Sequence, residues 1–323
     1  SSLCNGKINI SNALASDDCE HTINVFRELG VSIEIKEHMI SITGKGLTSL
    51  KKPNKKLYAG NSGTLMRIIA GILATQDFTS SISGDESLNT RPMKRIEKPL
   101  KMFGANVISK NSMPPLSFKP SQSLKPISYA SDLPSAQVKS CLIFAALFID
   151  GTSVITEKIK TRDHTEIMLN ELGVKISSNS HIIINPLDTD LKPFHVNIPG
   201  DPSSAAFFAS AAALLPNSDL TIKNLLANST RIGFFHVLEK MGAIVTWQNM
   251  RKEMGEIVGD VNIKSQPLSG IDLQGEIIPS IIDEIPIIAL LASQADSPTC
   301  VRNAEELKPL LEFIKQSYDA NQK

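Results

Sequence analysis

The sequence predicts an α/β fold of repeated βαβαββ units forming two domains, with apolar helices buried inside and covered by sheets. Three patterns predict it, each returning every ~70 residues. The first is a helix end followed by a strand: ELGVSIEI at Gly30, MFGANVIS at Gly104, ELGVKIS at Gly173 and KMGAIVTW at Gly242. Each glycine stands where a helix needs a positive-φ residue before the chain turns into a β-branched run. The second is a polar helix start bearing Arg or Asp: SDDCEHT from Ser16, TRPMKRI from Thr90, TRDHTEI from Thr161 and STRIGFF from Ser229. Ser and Thr at such places cap free backbone N–H groups. The third opens helices rich in small apolar residues: GNSGTLMRIIAGILA from Gly60, LPSAQVKSCLIFAALF from Leu133, GDPSSAAFFASAAALL from Gly200 and IPSIIDEIPIIALLA from Ile278.

Taken in order, these pieces give one repeat as strand, helix, strand, helix, then two strands. KINIS, SSISG, PLSFKP, SVITE, HIIIN, HVNIP, LTIKN and GIDLQ supply short strand-like segments between the helices. Apolarity on all sides marks the third series as buried helices, with the amphipathic set outside them. Alternating strands and helices argue for α/β layering. A Rossmann fold is disfavoured because no GxGxxG follows a strand, and a solenoid because its repeats run ~20–50 residues. A chain of 323 residues suits two domains. The boundary is placed near Pro199, giving 1–198, with the first helix of its first unit absent, and 199–323, an incomplete second domain.

Composition removes several functions. Lys+Arg and Asp+Glu each total 33, and with one Trp and three Tyr there is neither a basic footprint nor a stacking platform for nucleic acid. The longest apolar runs, such as Cys141 to Ile149 and Ile285 to Ala292, are shorter than the ~18–20 residues that span a bilayer. Cys4, Cys19, Cys141 and Cys300 form no CxxC pair and no metal-ligand cluster with the histidines, so no metal and no disulfide is expected. The opening SSLCNGKINI has neither the basic start nor the apolar stretch of a signal peptide, and the expectation is a cytoplasmic protein.

The arginines carry the first chemical hint. There are eight beside 25 lysines, and Arg67, Arg91, Arg162 and Arg231 all fall in or near the first turns of predicted helices. Guanidinium grips phosphate and carboxylate bidentately, and a helix N-terminus offers N–H groups to the same ligand, so these positions suggest a multiply anionic substrate. In GNSGT, Gly63 lets the backbone approach a ligand, although the turn equally reads as a tight turn capping the next helix, and it is no Walker loop. Arg91 near Glu97, and Arg162 beside Asp163 and Glu166, also read as solvated first-turn residues. Ser135 and Gln137 also read as caps of the helix beginning near Ala136. Asp283 and Glu284 lie inside an otherwise apolar helix, where a charge must be paired or functional, and Asp283 is the candidate base. An exposed face or a salt bridge is the alternative. His164 reads as a surface or supporting residue.

Taken together, GNSGTLMR, TRPMKRIEKPLKMFGA, PSAQVKSCLIFAALF, TRDHTEIML, IPGDPSSAAFF and IIDEIPIIA resemble the enolpyruvyl-shikimate-phosphate synthase family in order and spacing. The resemblance implies an inside-out, barrel-like enolpyruvyl transferase fold of six βαβαββ units, three per domain, with the active site in the cleft between domains. It implies transfer of the enolpyruvyl group of phosphoenolpyruvate to the 5-hydroxyl of shikimate 3-phosphate, with release of phosphate, by a monomer that uses no cofactor and is inhibited by glyphosate. Carried over by position, Asn61, Gly63, Arg91 and Gln137 would bind phosphoenolpyruvate. Ser135, Ala136, Gln137, Thr161, Arg162 and Asp283 would hold shikimate 3-phosphate, with Asp283 the catalytic base.

The sequence also departs from the family. Its Lys-Ser…Arg motif has no counterpart here, and RNAEELK runs into PLLEFIKQ where the family continues with a Lys-Glu pair and an Arg. Six repeats would need roughly 420 residues. The sequence is therefore expected either to be truncated relative to the family or, as the favoured reading, to skip family segments, with a join between Lys308 and Pro309. Two alternatives stay open: the sister transferase acting on a UDP-sugar, whose loop cysteine has no clear match in Cys141, and a non-catalytic substrate-binding fragment or pseudoenzyme.

Overall fold

The structure, a computed structural model, describes residues 2–131, 134–178 and 181–302. The chain divides into two compact units, one ending at Ile198 and one beginning at Pro199, each with its own apolar core. The suspected join at Lys308 lies outside the described residues.

In the first unit the chain runs β1 (Asn5–Ser11), α1 (Asp17–Glu28), β2 (Ser32–Lys36) and β3 (Met39–Lys45). A second repeat follows as β4 (Leu57–Tyr58), α2 (Gly63–Leu73), β5 (Ser80–Ser83), a short α3 (Glu86–Asn89), α4 (Lys94–Met102), β6 (Asn106–Lys110) and β7 (Met113–Lys119). The third is β8 (Ser128–Ser131), α5 (Ala136–Ala146), β9 (Ser153–Glu157), α6 (His164–Glu171), β10 (Ile176–Ser178) and β11 (His181–Ile184), after which β12 (His195–Asn197) ends the unit.

Three separate four-stranded sheets result, in the orders β12-β1-β3-β2, β4-β5-β7-β6 and β8-β9-β11-β10. In each, the first two strands are parallel and the rest antiparallel. The last strand, β12, thus takes in the first sheet the place that β4 and β8 take in theirs, pairing Asn9 with His195 and Ser11 with Asn197. Among the described residues no helix of the first repeat corresponds to α2 and α5. An apolar cavity of 570 Å³ lies there, between α1, the first sheet and the Leu65, Ile68, Ile69 and Ile72 side of α2.

The glycine repeat has a single structural cause. Gly30, Gly104, Gly173 and Gly242 all have positive φ, between 87° and 113°. After each amphipathic helix the glycine N–H bonds back to the carbonyl three residues earlier (Arg27, Lys101, Asn170, Glu239). The next N–H bonds to the carbonyl five residues before it (Phe26, Leu100, Leu169, Leu238). This double bond pair is the Schellman ending, and it requires a left-handed residue. The four residues that follow, Val31, Ala105, Val174 and Ala243, are buried.

The helix starts differ from expectation. Ser16 caps α1 by accepting from the N–H of Cys19, 3.4 Å, but the N-cap positions of the other three helices fall at Met93, Asp163 and Ile232 rather than at Thr90, Thr161 and Ser229. Two or three residues intervene before α4, α6 and the corresponding helix of the second unit, so Arg91, Arg162 and Arg231 lie in the approaches to helices. Arg67 alone of the four is inside one.

The second unit runs α7 (Pro202–Leu214), β13 (Asp219–Leu226), α8 (Gly233–Lys240), β14 (Ile244–Glu253) and β15 (Glu256–Lys264), with sheet order β13-β15-β14. A first strand survives here only as a parallel bridge of Gly200 to Leu225. β16 (Asp272–Leu273) then pairs in parallel with β17 (Cys300–Val301) across α9 (Ile278–Ile281) and α10 (Ile285–Ser293). The single helix expected from Ile278 is therefore broken by a 3₁₀ turn over Ile282–Glu284. Pro286 has no N–H to continue the upstream ladder and sits in the first turn of α10. No helix among the described residues is long and apolar enough to cross a membrane.

Helices α2 and α5 are packed closely. A Cβ on Gly71 would lie 2.0 Å from the carbonyl oxygen of Cys141, a backbone atom that cannot swing aside. Gly71→Ala is therefore expected to destabilise the first unit by about 2 kcal/mol or more, lowering the melting temperature by roughly 4–8 °C. An unchanged thermal unfolding curve would contradict this packing.

Candidate active site

The close crossing of α2 and α5 sets the site. Four residues before Gly71 is Arg67, and four before Cys141 is Gln137, so one turn nearer the N-termini these side chains meet. The Nη1 of Arg67 donates to Oε1 of Gln137 at 2.8 Å, and Nε2 of Gln137 donates to Oγ1 of Thr64 at 2.9 Å. Ser62 caps α2 by accepting from the N–H of Leu65. Gly63 follows as its first residue. An added Cβ there would be 2.9 Å from Nη1 of Arg67 and 3.5 Å from Nη1 of Arg91, so the glycine lies beneath two guanidinium groups.

Arg91 reaches this point through a relay. Its Nη2 donates to Oδ1 of Asn61 at 2.7 Å and to Oγ of Ser87 at 3.3 Å, while Nδ2 of Asn61 donates to Oδ2 of Asp85 at 2.6 Å. Asp85 also caps α3 by accepting from the N–H of Leu88 at 2.7 Å. The bonds from Asn61 and Leu88 hold the Asp85 carboxyl below its ordinary range. Burial, and then the neighbouring cations Arg91 and Arg95, pull the pKa of Arg67 down. Such crowding of like charges is costly unless an anion enters. Asn61, Gly63, Arg91 and Gln137 are thus brought together, and with them Arg67, Thr64 and Asp85.

Ser135 caps α5 by accepting from the N–H of Val138 at 3.4 Å, and Ala136 opens the helix, where backbone N–H groups lack intrahelical acceptors. Ser135 also borders a 340 Å³ pocket whose wall carries Lys94, Arg95 and Lys98. Thr161 is tied to α5 through its carbonyl, which accepts from Nζ of Lys139 at 3.3 Å. Its hydroxyl donates to Oε1 of Glu157 at 2.5 Å, which commits its single proton.

Asp283 belongs to the second unit. It is exposed, in the 3₁₀ turn before α10, while Glu284 beside it is buried and accepts from the hydroxyl of Ser203. Arg231 bonds Oδ1 of Asp201 at 2.7 Å and Oγ of Ser203 at 2.8 Å. The cation expected to face a ligand therefore faces an internal carboxylate. Among the described residues no cluster of His, Cys, Asp or Glu suits a metal ion.

The whole arrangement has known relatives. The family model described as EPSP synthase (3-phosphoshikimate 1-carboxyvinyltransferase) matches residues 1–310. The chain belongs to the EPSP synthase family. It is 44% identical over 310 residues to the 3-phosphoshikimate 1-carboxyvinyltransferase of Endomicrobium trichonymphae, covering 95% of this chain and 72% of that relative. Identity to the protein of that name from Oceanobacillus iheyensis is 43% over 309 residues, with the same coverage. A solved EPSP synthase from Acinetobacter baumannii superposes with a TM-score of 0.88 at 38% identity, covering 95% of this chain and 70% of that one.

Sequence reasoning placed no role on Thr64, Asp85, Lys139 or Glu157, and it counted Arg67 among the anion-binding arginines without assigning it to a substrate. Two signals were present. Arg67 lies four residues after Gly63 and so shares its helix face, and Lys139 is a charge within an apolar helix, the argument that singled out Asp283.

The relay predicts a titration. A carboxyl whose folded pKa is depressed stabilises the fold above its unfolded pKa and loses that contribution as pH falls through the folded value. Asn61→Ala removes the largest cause of the Asp85 shift, so the Asp85 midpoint, followed by carboxyl NMR, is expected to rise towards the ordinary carboxylate range. An unmoved midpoint would show that Asn61 does not hold Asp85.

Proposed function

We propose that the chain is a 3-phosphoshikimate 1-carboxyvinyltransferase, joining the enolpyruvyl group of phosphoenolpyruvate to the 5-hydroxyl of shikimate 3-phosphate and releasing phosphate. The observation that carries this reading is the guanidinium pair of Arg67 and Arg91 over Gly63, braced by Gln137 and Asn61. Phosphoenolpyruvate carries a carboxylate and a phosphate on the same carbon, and two planar forks with five N–H donors each match that distribution. Asn61, Gly63, Arg91 and Gln137 are assigned to phosphoenolpyruvate. Ser135, Ala136, Gln137, Thr161 and Arg162 are assigned to shikimate 3-phosphate.

In the proposed chemistry the 5-hydroxyl oxygen bonds to C2 of phosphoenolpyruvate as C3 takes a proton, giving a tetrahedral intermediate. Asp283 accepts the hydroxyl proton. Loss of a C3 proton with departure of phosphate restores the double bond. The arginines act by stabilising charge on the carboxylate and phosphate throughout. The reading takes units 1–198 and 199–323 as the two domains of a cytoplasmic monomer and needs neither metal nor organic cofactor.

The test is phosphate release measured with each substrate alone and with both. Release that requires both, accompanied by an enolpyruvyl product of the matching mass, supports the reading. Binding of shikimate 3-phosphate without release would support a non-catalytic chain instead.

Asp283→Asn preserves shape and removes the base. Turnover is expected to fall by ~10²–10⁴ with the Michaelis constants little changed. Near-normal turnover in that variant would make the carboxylate structural.

A further inference from the structure

Lys139 lies in α5 with its side chain 2% exposed. Its ammonium meets three acceptors: Oε2 of Glu157 at 3.0 Å, Oε1 of Glu166 at 2.8 Å and the carbonyl of Thr161 at 3.3 Å. An ammonium has three donors, and here they match three partners. The partners have a common address. Glu157 ends β9, Glu166 stands in the first turn of α6, and Thr161 lies in the connection between them, beside Arg162. One buried charge thus holds both ends and the middle of a single short segment. A second tie joins the same elements, since the hydroxyls of Ser140 and Thr165 are 2.7 Å apart.

Stability alone is a poor reason for this arrangement. Two carboxylates share one cation, and Oε2 of Glu166 is buried without a hydrogen-bond partner. Apolar residues of similar volume often stabilise a core at least as well as a buried ion pair does. What the triad provides is a fixed path for a connection that lacks a side-chain cap at the start of α6. It also holds Glu157 in place to receive the Thr161 hydroxyl proton.

We propose that Lys139 is a positioning residue for shikimate 3-phosphate: through Glu157, Glu166 and the Thr161 carbonyl it fixes residues 158–163 so that Arg162 meets the substrate phosphate. This rests on the functional reading above. It touches neither the Arg67–Arg91 pair nor its braces, so its loss acts on one substrate and spares the other.

Two variants test it on the whole chain. Glu157→Leu keeps the Lys139–Glu166 pair and removes the Lys139–Glu157 pair together with the link to the Thr161 hydroxyl. Lys139→Met with Glu166→Leu removes the two most deeply buried charges together and leaves Glu157, whose side chain is 11% exposed, with the Thr161 hydroxyl as its partner. For each, thermal unfolding is recorded, and affinities for shikimate 3-phosphate and for phosphoenolpyruvate are measured by calorimetric titration. The expected result is a folded protein whose affinity for shikimate 3-phosphate falls about tenfold while that for phosphoenolpyruvate stays within about twofold. Unchanged shikimate 3-phosphate affinity in either folded variant, or equal weakening for both ligands, overturns the positioning role. A wild-type chain that binds no shikimate 3-phosphate overturns the functional reading itself and this proposal with it.

Discussion

The contact of Gly71 with the backbone of Cys141 is the constraint on which the site depends. It brings the buried helices α2 and α5 closer than any residue with a side chain at position 71 would allow. Because both helices advance by the same turn, the contact one turn earlier is fixed as well, and it places Arg67 against Gln137. The chemistry of the site begins where the apolar packing ends. Beyond that level the two helices present Leu73, Leu142 and Ala145 to the core, and in their first turns the polar Thr64, Arg67 and Gln137 stand beside the buried Leu65, Met66 and Val138.

Electrostatics then makes the site unfinished without a ligand. Arg67, Arg91 and Arg95 repel one another. The protein answers with neutral acceptors, Gln137 and Asn61, and the Asp85 carboxylate stands one residue removed behind Asn61. A carboxylate in direct contact would neutralise the arginines and compete with an anionic substrate. Arg231 illustrates the contrast, since its bond to Asp201 satisfies it internally. The same type of residue at an equivalent place in the repeat therefore has different consequences, set by whether its partner is an amide or an acid.

Much of this was legible in the sequence, for identifiable reasons. The four glycines announced four helix endings because only a left-handed residue completes a Schellman bond pair. The buried helices were visible from composition alone, and the family followed from six motifs in register. Helix starts were less legible. Thr90, Thr161 and Ser229 resemble caps, yet the N-cap positions fall two or three residues later, at Met93, Asp163 and Ile232, where no side chain makes a cap bond. Placing Asp283 in a regular helix failed because proline at 286 permits a new helix start as readily as a continuation. Arg67, Lys139 and Glu157 needed distances. Their partners are 70, 18 and 4 residues away along the chain, and no local pattern pairs them.

The central claim is that the guanidinium cluster over Gly63 awaits an anion. The most direct test is the melting temperature of the wild-type chain titrated with phosphoenolpyruvate, against sodium chloride at matched ionic strength. A ligand that binds only the folded state raises stability in proportion to the logarithm of its concentration above its dissociation constant, by about 2.7 kcal/mol at a hundredfold excess. The account predicts a rise with phosphoenolpyruvate well beyond the chloride control, and its loss in Arg67→Gln. Identical curves for phosphoenolpyruvate and chloride would contradict it.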